Sequence, residues 1–195
     1  MQELNRQILI YMNSLTEYKF IENFSLCFSD TPIFVLPIFL IIWWLYFTYK
    51  QKDTDRKNDL LLIFYSTVIA VIINLTIQQF ITIDRPEKAL EWIWKLILNH
   101  VPDASFPSDH AAVSISFLTS LFLVNYKKFA YVFLIPVVLM NLSRVTLWVH
   151  WPFDIVWWLI VWVTSSFIVF KLLKTNKYII IINNFIIKIM SYIKM

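Results

Sequence analysis

The sequence predicts an all-α, polytopic bundle of transmembrane helices, with N-terminal interfacial helices and five spans, or six if the C-terminal tail also crosses. Three observations predict it. Of 195 residues, 59% are hydrophobic and 18% aromatic, more apolar surface than a soluble domain of this size can bury. Sustained apolar runs recur at lengths approaching the roughly 17 to 25 residues needed to cross the hydrocarbon. The formal charge of +4 comes from basic residues that flank these runs. That is the pattern of membrane-flanking cations and not the continuous basic stripe of a nucleic-acid surface, so membrane lipid is an expected partner and nucleic acid is not.

The whole chain, 1–195, reads as one integral membrane domain. Residues 1–30 show no basic start and cleavage site, so they are expected to be retained. There Leu4, Ile8 and Leu15 recur near helical spacing among Glu3, Arg6, Asn13 and Glu17, as in helices lying on a bilayer surface. The transmembrane core covers 33–173. Its first span runs from about Ile33 to Tyr49 and its second from about Leu60 to Ile81, separated by the charged stretch from Lys50 to Asp59. The third, about Ala111 to Val124, and the fourth, about Phe129 to Leu142, are joined by a turn carrying Lys127 and Lys128, and each is expected to extend a turn further. The fifth runs from about Ile155 to Leu173. The tail, 174–195, is apolar from Tyr178 but interrupted by Asn183, Asn184 and Lys188, which favours a surface helix over a sixth span. If the spans alternate, Lys50, Lys52, Arg56, Lys57, Lys127, Lys128, Lys171, Lys174 and Lys177 share one side, which the positive-inside rule makes cytoplasmic. The other side faces outward from the cytoplasmic membrane and carries Arg85, Lys88, Lys95 and Arg144.

Two residue types narrow the chemistry. The single cysteine, Cys27, excludes an intramolecular disulfide framework and is read as packing. Glycine is absent, so Gly-rich nucleotide loops are excluded and any phosphate cradle is built from other residues.

Three clusters at span ends converge on the outward side. They are Asp84-Arg85-Pro86 after the second span, Pro107-Ser108-Asp109-His110 opening the third, and Ser143-Arg144 with His150 and Asp154 between the fourth and fifth. This inventory suits phosphoryl transfer, because the planar guanidinium bonds phosphate oxygens in pairs and stabilises the charge of the group in flight. If Pro152 lies in the first turn of the fifth helix, His150 and Asp154 are neighbours on one face. The carboxylate would then fix the imidazole tautomer and stabilise the cation formed on phosphorylation. His110 is free to protonate a leaving oxygen, and the amides of Ser108, Asp109 and His110 can bind anionic oxygens at a helix N-terminus. Asp109 serves equally well as the cap of that helix. Trp148, Trp151, Trp157 and Trp158 read as aromatic belt and packing, and His100 as loop structure.

The three clusters resemble the phosphatidic-acid-phosphatase type 2 superfamily, whose pattern is Lys-x6-Arg-Pro, then Pro-Ser-Gly-His, then Ser-Arg-x5-His-x3-Asp. The third motif matches completely from Ser143 to Asp154. In the second Asp109 replaces Gly, and in the first Gln78 replaces Lys. The stretch Ser105-Phe106-Pro107-Ser108-Asp109-His110-Ala111 is similar to the bacitracin-resistance type of undecaprenyl-pyrophosphate phosphatase, in which Pro-Ser-Asp-His is common. The resemblance implies a phosphohistidine on His150, His110 as acid, Asp154 as the orienting carboxylate, and Arg85, Ser108, Asp109, Arg144 and Gln78 around the phosphate. It also implies a reaction without metal or cofactor on a polyprenyl or other lipid phosphate, undecaprenyl diphosphate first, as in cell-wall lipid carrier recycling. A phosphatidic acid or phosphatidylglycerophosphate phosphatase is the alternative of the same chemistry. A non-catalytic membrane protein, with Gln78 marking decay, is the alternative of another class, against which stand the intact His110, His150 and Asp154.

Overall fold

A computed structural model of the chain describes residues 2–81, 83–86 and 105–192. Lys88, Lys95 and His100 lie outside these. The described residues form seven α-helices and no strand: α1 (Gln2–Ser14), α2 (Lys19–Tyr46), α3 (Thr54–Gln78), α4 (Asp109–Leu123), α5 (Lys127–Thr146), α6 (Pro152–Lys174) and α7 (Lys177–Tyr192). The chain is all-α, as expected.

Four segments are long and apolar enough to cross a membrane: Lys19–Gln51, which is α2 with its π-helical end, together with α3, α5 and α6. Their surfaces are inside-out relative to a soluble protein. Phe34, Ile38 and Ile42 on α2, Tyr131, Val132 and Ile135 on α5, and Ile160, Phe167 and Ile168 on α6 are all exposed. Hydrocarbon is the solvent that such faces fit, since helices satisfy their own backbone polar groups there. The protein is thus a multi-pass membrane protein. Pro32, Pro37 and Pro136 sit inside helices, a position tolerated where neighbouring helices support the freed backbone groups.

The shorter α4 has 15 residues, about 22 Å at 1.5 Å per residue, less than the hydrocarbon thickness of roughly 30 Å. It is enclosed by protein. Helices α2, α3, α5 and α6 all pack on it, and Ala111, Ala112, Ser114, Ser116 and Ser120 are buried on several of its faces. Small side chains let backbones approach closely, the usual device where no hydrophobic effect drives helices together in lipid. Below them the packing turns aromatic. Phe39, Phe117 and Phe133 meet edge to face, with ring centroids 4.9 to 5.8 Å apart.

Without glycine, other residues close the helices. Asp53 caps α3, its side chain accepting from the Arg56 amide at 2.9 Å. Lys52, Asn125 and Trp148 take positive φ values of 52°, 65° and 63°. Asn125 ends α4 in a Schellman motif, with bonds from Tyr126 N to Leu121 O and from Asn125 N to Phe122 O. Trp148 ends α5 the same way, through Val149 N to Arg144 O and Trp148 N to Val145 O. A left-handed turn costs a non-glycine residue roughly 1–2 kcal/mol, and for a bulky residue it is an outlier of the sort found at functional sites. Packing holds it. Trp148 is buried against Leu9 of α1 and Val145.

Helix α1 further braces this α5–α6 turn, since Asn5 Oδ1 accepts from the Phe153 amide and Asn13 Nδ2 donates to the Thr146 carbonyl. Helix α7 packs on α3 and α6, fixed by a 2.8 Å hydrogen bond from the Tyr65 hydroxyl to Asn183 Oδ1. Arg56 lies over the Tyr126 ring at 5.0 Å, so the start of α3 and the α4–α5 turn share one end of the bundle.

Candidate active site

The opposite end gathers the three clusters. Arg85, Ser108, Arg144, His150 and Asp154 are all buried there. Schellman closure of α5 turns the chain sharply after Arg144, and Pro152 at the first position of α6 restarts the helix. His150 is left between them, with its ring edge-on to Trp158 at 4.6 Å between centroids.

His150 and Asp154 are joined through a third residue. Ser105 Oγ lies 3.4 Å from His150 Nδ1 and donates to Asp154 Oδ2 at 3.0 Å. The expected direct orientation of the imidazole by the carboxylate is therefore a relay with a fully buried serine at its centre. Burial, and then the guanidiniums of Arg144 and Arg85 and the neighbouring His110, push the His150 pKa well below its usual 6.5. Its imidazole is neutral at neutral pH, the form in which a ring nitrogen is nucleophilic.

Arg85 Nη1 donates to the Val149 carbonyl at 3.2 Å, tying the Asp84-Arg85-Pro86 cluster to the histidine turn. Trp151 Nε1 ties the same strip through the Asp84 carbonyl at 3.0 Å. Arg144 Nη1 donates to Ser29 Oγ at 3.2 Å and to Asp30 Oδ1 at 2.8 Å. That same Asp30 oxygen lies 2.9 Å from His110 Nε2. Two groups expected around a phosphate thus converge on one carboxylate oxygen supplied by α2.

Gln78 and Asp109, the two departures from the resembled pattern, meet each other. Gln78 Nε2 donates to the Pro107 carbonyl at 3.0 Å and to Asp109 Oδ1 at 3.4 Å. Asn74 Nδ2 reaches the same two residues. The side chains of Gln78 and Asp109 therefore brace the turn that opens α4. Ser108 is the N-cap residue of α4, its carbonyl accepting from the Ala112 amide at 2.9 Å. The amides of the first helical turn lack intrahelical partners, the general property that lets a helix start attract an anion.

Residues 59–178 match the family model described as the PAP2 superfamily. This chain belongs to the PAP2 superfamily. In enzyme class it is a PAP2-type lipid phosphatase. It is 29% identical over 173 residues to "Bacitracin transport permease protein BcrC" of Bacillus licheniformis, covering 86% of this chain and 80% of that one. It is also 29% identical over 122 residues to "Putative undecaprenyl-diphosphatase YbjG" of Escherichia coli (strain K12), covering 63% of this chain and 58% of the relative. No solved structure matches the chain significantly.

Sequence reasoning missed Asp30, Ser29 and Asn74, and quoted Ser105 without giving it a role. Asp30 carried a usable signal, since an ionisable residue beside an apolar run is by default a candidate site residue. Ser105 carried none. The relay gives a testable expectation: Ser105→Ala removes the hydroxyl that bridges His150 Nδ1 and Asp154 Oδ2. We expect kcat on a lipid phosphate to fall about 10- to 100-fold, with KM nearly unchanged. Steady-state kinetics of the purified variant checks this, and a rise in KM alone would remove Ser105 from the relay.

Proposed function

We propose that this PAP2 enzyme hydrolyses undecaprenyl diphosphate to undecaprenyl phosphate and inorganic phosphate at the outer face of the cytoplasmic membrane, through a phosphohistidine on His150. The observation that carries the reading is the convergence, at one end of the bundle, of a neutral buried His150 backed by Ser105 and Asp154, with Arg85, Arg144 and His110 around it. The names of two relatives, one concerned with bacitracin and the other an undecaprenyl-diphosphatase, support the choice of lipid.

In the first step the His150 Nε2 lone pair forms a bond to the terminal phosphorus and the bridging P–O bond breaks. Its electron pair leaves on undecaprenyl phosphate, which His110 protonates. Nδ1 keeps its proton towards Ser105, and Asp154 offsets the positive charge of the phosphorylated ring. Arg85, Arg144 and the helix-start amides hold the equatorial oxygens as charge redistributes. In the second step water attacks the same phosphorus, His110 accepts its proton, and the P–N bond breaks to release phosphate and restore His150.

Asp30 is the resident anion of this pocket, and substrate displaces it from Arg144 and His110. Asp30→Asn keeps the shape and removes the competing charge. KM for lipid diphosphate and the inhibition constant of inorganic phosphate are both expected to fall about fivefold, a charge-assisted contact discounted for the partial exposure of Asp30. Weaker phosphate inhibition would show that Asp30 supports the phosphate instead.

Membrane sidedness follows from the lysine-rich loops. In a Cys27→Ser background, a thiol introduced at exposed Phe80, beside the proposed active site, is expected to react with an impermeant maleimide in intact cells. Labelling only after permeabilisation would reverse the topology. Substrate choice is tested by phosphate release from the purified enzyme on undecaprenyl diphosphate, phosphatidic acid and phosphatidylglycerophosphate. We expect the highest kcat/KM on undecaprenyl diphosphate. Preference for a glycerolipid would reassign the substrate, and no release from any of them would return the chain to a non-catalytic role.

A further inference from the structure

At the end of the bundle remote from His150, a cavity of about 540 Å³ opens between the end of α2, the start of α3 and α7. Lys57 is about 30 Å from Gln78 along α3 at 1.5 Å per residue. Lys52, Lys57 and Lys188 line the cavity together with Thr48, Asn184 and Ser191. Among the described residues no carboxylate lines it. Of the acids near it in sequence, Asp53 caps α3, Asp59 pairs with Arg56 at 3.5 Å, and Asp55 in the first turn of α3 is not among the lining residues.

Lys57 is the informative member. It is only 6% exposed, and the contact that covers it is the face of Trp44, 5.2 Å from its Nζ to the ring centroid. A cation–π contact lessens the cost of burying an ammonium but does not neutralise it. Trp44 in turn lines a second, apolar groove of about 210 Å³ along the same three helices, with Leu40, Leu61, Phe64, Ile186 and Met190. A cationic, hydroxyl-bearing pocket thus continues across the Lys57–Trp44 contact into an apolar channel facing lipid. A free anion would fill only the first part, and a neutral acyl chain only the second.

We propose that this groove is a binding site for an anionic glycerophospholipid, its phosphate among Lys52, Lys57 and Lys188 and an acyl chain along Trp44, Leu61 and Met190. Basic pockets between transmembrane helices suit such headgroups, each nearby lysine strengthening the attraction. Bound there, the lipid clamps α7 to α2 and α3 and neutralises Lys57. The site is independent of the phosphatase reading.

The test uses the full-length protein, delipidated in neutral detergent and supplied with phosphatidylglycerol, phosphatidylcholine or inorganic phosphate. Native mass spectrometry reads lipid retention and thermal unfolding reads stabilisation. Phosphatidylglycerol alone is expected to remain bound and to raise Tm by several degrees. Lys52→Gln with Lys188→Gln, at exposed positions, is expected to weaken its retention about tenfold, and Lys57→Met to abolish the Tm response. Should Lys57→Met fail to fold, the exposed pair carries the test. Equal protection by phosphatidylcholine, equal protection by inorganic phosphate, or undiminished retention by the exposed pair would each overturn the proposal.

Discussion

Replacement of His150 by alanine is expected to abolish turnover of every lipid phosphate, by roughly 10⁴-fold or more, the scale on which an enzyme loses its nucleophile. Among the described residues no other histidine nitrogen is so placed. His110 is engaged by Asp30 at 2.9 Å, whereas His150 is buried with Nδ1 towards Ser105 and Asp154. Phosphate release over hours, with folding verified by Tm, checks this, and an active His150→Ala enzyme would end the covalent mechanism. The wild-type pH profile carries a linked expectation. Because the folded pKa of His150 lies well below 6.5, the acid limb of kcat/KM should not show a nucleophile titrating near 6.5. The same depression has a stability consequence of definite sign. Below pH 6.5 the unfolded chain binds a proton at this residue that the folded chain does not, so the contribution is intact above 6.5 and is lost as pH falls from there towards the folded pKa.

The His110→Ala variant is expected to separate substrates. An alkoxide leaving from phosphatidic acid needs a proton, and losing the general acid should cost about 10²- to 10⁴-fold. Undecaprenyl diphosphate expels a lipid phosphate, a weaker base that needs less protonation, so its loss should be smaller. Single-turnover measurements keep product release from masking the step. Equal losses on both substrates would remove His110 from the acid role. The variant also frees the Asp30 carboxylate from one of its two partners, so comparison with the double variant Asp30→Asn/His110→Ala separates lost acid from altered anion competition.

How much of this was legible in the sequence depends on the kind of interaction. Hydropathy located the long apolar helices, because a face against hydrocarbon must be apolar along its whole length. It failed at the start of α2, which begins at Lys19, well before the expected span at Ile33. The reason is the buried polar stripe Glu22, Ser25 and Ser29. Those residues face protein, so a window that averages around the helix reads them as aqueous. Asp30, next along the helix, carried a signal of its own as an ionisable residue beside an apolar run, but its partners Arg144 and His110 are distant in sequence. The motif residues were legible because their order and spacing are set by helix ends that a short sequence window contains. Ser105 was not, since its two partners lie 45 and 49 residues away. The pairing of Gln78 with Asp109 was likewise invisible as an interaction, because each was read against its own motif although the two sit 31 residues apart and in contact.

The central claim is that the terminal phosphate passes through His150, and trapping it tests this most directly. Undecaprenyl diphosphate labelled in its terminal phosphate is mixed with stoichiometric enzyme and quenched in base within one turnover, and the label is located by peptide mass spectrometry. The account predicts an acid-labile, base-stable phosphoramidate on His150 that forms and decays at rates matching phosphate release, and that is lost in His150→Ala. Full release of labelled phosphate with no protein-bound label at any time, or label on another residue in a kinetically competent intermediate, would contradict it.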